Sequence, residues 1–427
     1  MRAPASRRRL ALGGFAWWLV VAVVVRTVVA LPERCPPAPP ARVDEAVARA
    51  IGWFARNQEG DGTWLYRYRA ADDVDLGGYN LPRHAGVALS LYQAAARGRA
   101  AAYPVAEAGT GYALERLVEV DLAASAGLAE SPGPREVPGP GRAGAEQGLA
   151  FGAGPQLDTG ASALLVNALV ERRRVPGRPA GERVSHDEAL AGLGRFLVAL
   201  VQPSGAVPAS WLVGTGPSVG AWSRFYTGEV FWALSRLAGE FPEAGFGEVA
   251  GRVGRYLAGQ RDEVEGWFPP IADHWGAYGL NEQAQLPVGA PGRLGEGDLE
   301  NYAERVASLV GVQVRYESQR TDSLPSRFTR GRRTLGAGLG TLGEALGNLV
   351  PVAAARPDLA ELREPIEERA ECVAGMLLER QTSAEEAAAL PDPGQAEGAW
   401  FQFGVTQMDD QQHALSALLL LPEGAGS

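Results

Sequence analysis

Six times along this 427-residue chain, a stretch with one apolar face is followed by a stretch that is apolar nearly all round. The one-faced stretches span 43–57, 109–121, 187–202, 247–260, 299–313 and 363–381. In the first, Val43, Val47, Ala50, Ile51 and Phe54 recur at helical spacing; in the third, Leu190, Leu193, Phe196, Leu197 and Leu200 do the same. That spacing predicts helices with one face in a core and the other in water. Their partners, rich in Ala, Gly and Leu, span 84–97, 159–172, 226–238, 274–284, 334–348 and 410–421. A helix apolar on every side is buried on every side. Six pairs at a period of about 65 residues predict an all-α (α/α)6 toroid of about twelve helices, with outer helices facing water and inner helices lining the centre. At 46% hydrophobic residues the chain can fill such a core.

The toroid domain is expected to span 43–427, after a Pro-rich linker at 32–42 and a targeting segment at 1–31. In that segment Arg7, Arg8 and Arg9 precede an apolar run from Leu10 to Val25. Positive charge before a short apolar run reads as an N-terminal signal or signal-anchor helix, with Val28-Val29-Ala30 as a cleavage site. The body is therefore expected outside the cytoplasm, either secreted or held at a membrane by this segment. Cys35 and Cys372 are the only cysteines. They can pair in an oxidising compartment, though two unpaired thiols is the slightly favoured expectation. The Gly- and Pro-rich stretch 124–156 is expected to be a surface insertion, and the longer loops leave room for a few two-residue strands.

Charge narrows the function. There is no lysine, so phosphate-loop, kinase and Schiff-base lysine chemistry are all excluded. Net charge is −10, and Arg2, Arg7, Arg8, Arg9 and Arg26 all fall in the N-terminal segment, leaving an acidic body. Such a body is not a nucleic-acid partner.

In a toroid the starts of the inner helices share one rim, where free N–H groups gather. Three of the four histidines fall there, as His84, His274 and His413, while His186 opens an outer helix. Carboxylates cluster with them: Asp61, Glu229, Asp273, Asp409 and Asp410. Asp273 and Asp409 can equally be N-caps. Glu229 lies among apolar neighbours, where its carboxyl can act as a general acid. Catalysis is expected from Glu229, Asp273, Asp410, His274, His413 and His84. Arg83, Asn80, Tyr79, Tyr66, Trp64, Asp61, Tyr226, Trp275 and Asp409 are expected to contact substrate. No ligand spacing such as His-x-x-x-His appears, so no metal and no cofactor is expected.

Gln58, Gly62 and Trp64, repeated as Gln395, Gly398 and Trp400, resemble the "QW" turns of the squalene cyclase and prenyltransferase toroids. That resemblance implies the fold, with Gln capping a helix end. The cyclases' Asp-x-Asp-Asp motif is incomplete here, as Gln407-Met408-Asp409-Asp410, and no cysteine stands where prenyltransferase zinc ligands would. The arrangement as a whole resembles the six-hairpin toroids of carbohydrate-active enzymes. It implies a glycan-processing enzyme, a hydrolase, lyase or epimerase acting by acid–base chemistry on a sugar-containing substrate. The alternatives are an isoprenoid enzyme of the terpene cyclase or prenyltransferase kind, and a non-catalytic toroid that binds cell-envelope glycan or protein.

Overall fold

The computed structural model describes residues 5–26, 31–123, 147–268, 270–321, 323–331 and 337–422. Twelve helices build a double ring. The outer ones are α1 (Pro40–Arg56), α3 (Ala102–Leu114), α5 (Asp187–Leu200), α7 (Phe246–Gly259), α9 (Glu296–Ser318) and α11 (Ala360–Arg380). The inner ones are α2 (Leu81–Ala96), α4 (Thr159–Arg174), α6 (Tyr226–Glu240), α8 (His274–Gln285), α10 (Ala337–Ala355) and α12 (Met408–Leu419). Each inner helix packs on the next, and α12 packs back on α2 and on α1, so the ring is closed. The chain is an (α/α)6 toroid.

Sequence pattern and burial agree helix by helix. Outer helix α1 buries only one stripe, from Val43 to Phe54. Inner helix α4 is buried continuously from Thr159 to Val170. The inner-helix glycines set the close approach around the ring. A Cβ on Gly160 would lie 2.3 Å from Tyr226, one on Gly279 2.2 Å from Phe231, and one on Gly340 2.3 Å from the His413 backbone. No side chain fits between these neighbours.

One outer helix differs from expectation. The stretch 109–121 is not one helix: α3 ends at Leu114, and β3 (Leu117–Asp121) follows, paired antiparallel with β4 (Gln147–Phe151). Val118 and Val120 alternate with acids, the period of a strand, and this alternation had extended the apparent helical pattern. Helix α5 packs on β4, so this hairpin fills the outer layer between α3 and α5. Residues 124–146 of the expected insertion lie outside the described residues. Two further sheets, built of strands of two or three residues, tie rim loops together. In one, β1 (Arg67–Arg69) pairs with β2 (Val74–Asp75) and with β8 (Val405–Gln407), joining the first and last repeats. In the other, β5 (Gln156–Asp158), β6 (Ser210–Leu212) and β7 (Gly216–Pro217) join the entries to α4 and α6.

The Pro-rich segment is part of the body rather than a free linker. Cys35 is disulfide-bonded to Cys372 on α11, which corrects the expectation of two unpaired thiols. The Arg34 N–H donates to Ser318 O at 2.9 Å and Gln319 Nε2 to Leu31 O at 2.8 Å. An N-terminal helix spans Ala5–Val24 and leaves Phe15, Trp17 and Trp18 exposed. Its Arg7-Arg8-Arg9 run precedes the apolar stretch, and no helix among the described residues is long and apolar enough to cross a membrane. The expected cleavage site at residues 28–30 lies outside the described residues.

Candidate active site

The starts of the inner helices enclose a rim pocket of about 400 Å³. Helix α2 supplies Arg83, with Asn80 just before it; α6 supplies Tyr226 and Glu229, with Phe225 before them. Helix α8 supplies His274 and Trp275, and α12 supplies Asp409, Gln412 and His413. Thus eight of the fifteen sequence-predicted residues line one cavity: Glu229, His274 and His413 among the catalytic candidates, and Asn80, Arg83, Tyr226, Trp275 and Asp409 among the binding ones.

Local capping places them. The Asn80 side chain accepts from Arg83 N at 3.1 Å, starting α2 and setting Arg83 on the rim. Arg83 Nη1 donates to Tyr66 Oη at 2.6 Å and to Gln407 Oε1 at 2.8 Å, and Nε lies 3.1 Å from Asp409 Oδ2. Asp409 Oδ1 is buried with no hydrogen-bond partner. Glu229 on the same pocket is also buried, and its Oε2 has no partner. Gly160 on α4 leaves the room for it, since a Cβ there would lie 2.5 Å from Oε2. Burial, then the charge of Asp273, pushes the Glu229 carboxyl well above its ordinary range.

A third carboxyl, Glu344 on α10, lies fully buried beside the two histidines. Its Oε2 is 2.6 Å from His413 Nδ1 and 3.8 Å from His274 Nε2. Its Oε1 accepts from Tyr278 Oη at 3.2 Å and Gln412 Nε2 at 3.3 Å. Burial lowers the His413 imidazole, but the charge and hydrogen bond of Glu344 outweigh it, leaving His413 above its ordinary value. Burial and the neighbouring His413 hold His274 well below its own. The two rings meet at 5.2 Å, and His274 packs on Trp275 at 4.4 Å. Sequence reading passed over Glu344, although a lone acid in a Gly- and Leu-rich helix was the signal available.

The other expected catalytic groups are engaged in structure. Asp273 is the N-cap of α8, accepting from Gly276 N at 3.1 Å, and it pairs with the buried Arg261. It does not line the pocket; it acts on the pocket through its charge beside Glu229. Asp410 closes a capping box with Gln407 at the start of α12. His84 is buried between Gly109 O and Tyr79 Oη, away from the pocket. Trp64 packs against Gly109, where a Cβ would lie 2.1 Å from its ring. Tyr79 donates to His84, and Asp61 is an exposed turn residue bonded to Thr63. The second of the two expected "QW" turns also changes: Gln381, not Gln395, holds the Gly398–Trp400 turn, donating to Gly398 O at 3.0 Å.

These features define a closed six-hairpin toroid with an aromatic-walled pocket at the inner-helix rim, into which Arg83, Glu229, Asp409 and two histidines are set. No protein family and no characterised protein matches the chain by sequence. Among solved structures it is similar to an alpha-amylase from Clostridium perfringens, at 8% identity and TM-score 0.49, over 88% of this chain and 97% of the other. It is also similar to a cellulase of C. cellulolyticium in complex with cellobiose, at 13% identity and TM-score 0.47, over 88% and 97%. An endoglucanase from the termite Nasutitermes takasagoensis matches at 13% identity and TM-score 0.43, over 89% and 99%.

Proposed function

We propose that this protein is an extracytoplasmic glycan-processing enzyme that works by general acid–base catalysis. The observation that carries the reading is the pairing of two carboxyl groups in one pocket under opposite conditions. Burial beside a second acid raises the proton affinity of Glu229, as suits a general acid, and Asp409 is paired with Arg83 at the same pocket. In glycosidic bond hydrolysis Glu229 donates its proton to the leaving oxygen, while Asp409 takes one from the attacking water. Trp275, Tyr226 and Phe225 give the pocket aromatic faces on which the apolar face of a sugar ring can stack, and its volume suits a small number of sugar units.

The location rests on two features. The Cys35–Cys372 disulfide fits an oxidising compartment. The arginine-then-apolar order of the N-terminal segment fits export. An isoprenoid cyclase needs a deep apolar cavity, whereas this pocket presents Arg83, Glu229, Asp409 and two histidines. A purely binding toroid has no need of an acid with a raised proton affinity.

The test is turnover on a panel of plant, microbial and animal glycans, read by release of reducing ends. Glu229→Gln and Asp409→Asn are each expected to lower kcat by about 10²–10⁴ with folding intact. Full turnover in both variants would end the assignment. The alkaline limb of the wild-type pH–rate profile should lie above the ordinary Glu range and disappear in Glu229→Gln.

A further inference from the structure

Three ligand-type side chains from three different inner helices converge at the pocket: His274 from α8, Glu344 from α10 and His413 from α12. Their ligating atoms all lie within 4.8 Å of one another. The arrangement around Glu344 is directional. Tyr278 Oη and Gln412 Nε2 both bond Oε1, which leaves Oε2 facing the two imidazole nitrogens. Such hydrogen bonds to the far oxygen orient a carboxylate ligand. The decisive atom is His274 Nε2. It is buried, on a side chain only 4% exposed, and has no hydrogen-bond partner. A buried imidazole nitrogen without a partner is costly, and it points into the cluster. A proton shared between Glu344 and His413 satisfies those two groups and leaves His274 bare. A cation satisfies all three.

We propose that His274 Nε2, Glu344 Oε2 and His413 Nδ1 bind one divalent transition-metal ion of the zinc class, whose remaining coordination position opens into the rim pocket. The donor set selects the ion: calcium and magnesium take oxygen ligands, whereas two imidazoles and a carboxylate suit zinc. Metal–ligand bonds of about 2.0–2.2 Å place tetrahedral ligand atoms roughly 3.4 Å apart. That value falls between the 2.6 Å of the closest pair and the 4.8 Å that bounds the group, so side-chain adjustments of under about an ångström close the site. His274 and His413 themselves line the pocket, so a ligand at the open position would meet substrate space. None of these ligands is Glu229 or Asp409, and the ion is measured without substrate, so this inference stands or falls independently of the acid–base reading.

The experiment uses the full chain without a histidine tag, stripped by chelator and titrated with Zn²⁺ by calorimetry, and with Co²⁺ by visible spectroscopy. One ion per chain is expected, with the intense visible bands of four-coordinate Co²⁺ displaced by Zn²⁺. His274→Ala, His413→Ala and Glu344→Gln should each weaken binding at least tenfold, and His186→Ala should not. Wild-type protein that binds no stoichiometric Zn²⁺ and gives no such Co²⁺ bands would overturn the proposal, whether or not the variants fold. Equal binding by wild type and correctly folded His274→Ala would do the same.

Discussion

His84 is completely buried, with Nε2 2.8 Å from Gly109 O and Nδ1 2.6 Å from Tyr79 Oη. A carbonyl only accepts, so Nε2 carries the proton and Nδ1 accepts from the tyrosine. The ring is neutral, and burial pulls its pKa down to about 4. An unfolded chain takes up this proton near pH 6.5 and the folded one only near 4. Stability from this residue is therefore full above pH 6.5 and falls as pH drops toward 4, by about 3 kcal/mol in all. Below that it changes no further. Urea midpoints of wild type and His84→Gln, measured from pH 7 to pH 4.5, should converge as the pH falls; parallel curves would contradict the assignment. His84 also shows the limit of reading single residues from sequence. A scarce histidine at an inner-helix start looks the same whether it faces the pocket, as His274 does, or a backbone carbonyl. Asp273 and Asp410 are legible as acids at helix starts, but whether such an acid caps or reacts depends on neighbours from other helices. Glu344 became visible as part of the site only when α10 was set against α8 and α12.

At the scale of elements, the inner helices were legible throughout, because a helix apolar all round has only one place to go. The turns between outer and inner helices were legible as to kind but not as to partner. Gln58 Nε2 donates to Val105 O on α3 at 2.9 Å and lies 3.5 Å from Gly62 O. Gln381 repeats this, donating to Ala46 O on α1 at 2.9 Å and to Gly398 O at 3.0 Å, and it accepts from Arg49 Nε at 3.0 Å. Each glutamine follows the end of one outer helix and ties it to the next outer helix and to the glycine of its own turn. Both glycines are left-handed, at φ 90° and 83°, and each faces a carbonyl of that next helix, Ala108 O or Arg49 O. Sequence spacing pointed to Gln395 because it stands near Gly398, whereas the inserted short helices at 384–396 carry the true partner away to position 381. Two variants separate these readings. Gln381→Ala strands buried carbonyls and should cost about 2–3 kcal/mol. Gln395→Ala should cost under about 0.5 kcal/mol, because its side-chain oxygen has no partner, while its backbone bonds to Trp53 and Asp392 remain in the variant. Denaturant midpoints of equal size for the two would contradict this account.

A toroid is held together by the closure of its last repeat on its first, and the whole molecule commits several devices to that seam. Helix α12 packs on α1 and α2, β8 pairs with β1, and the Met408 N–H donates to Tyr66 O at 3.0 Å beside the pocket. The disulfide adds a covalent strap on the outer side. Cys35 and Cys372 are 337 positions apart, which is why spacing along the chain did not reveal the pair. The segment from Leu31 to Pro39 lies across the ends of α9 and α11, with Arg34 paired to Glu379 at 2.8 Å and Pro36 O where a Cβ on Gly375 would stand. Cross-linking so long a loop restricts the unfolded chain by up to about 5 kcal/mol. The native contacts of the seam do not depend on the sulfurs, so the folded ring should survive their loss with its pocket intact. Reduction is therefore expected to lower the urea midpoint substantially while leaving Zn²⁺ binding and glycan turnover near wild-type values in dilute denaturant-free buffer. Cys35→Ser/Cys372→Ser should match reduced wild type and lose any response to reductant. If reduction instead abolished both functions at temperatures where the protein stays folded by circular dichroism, the strap would be shaping the rim itself, and the seam contacts of α12 and β8 would not suffice to hold the ring closed.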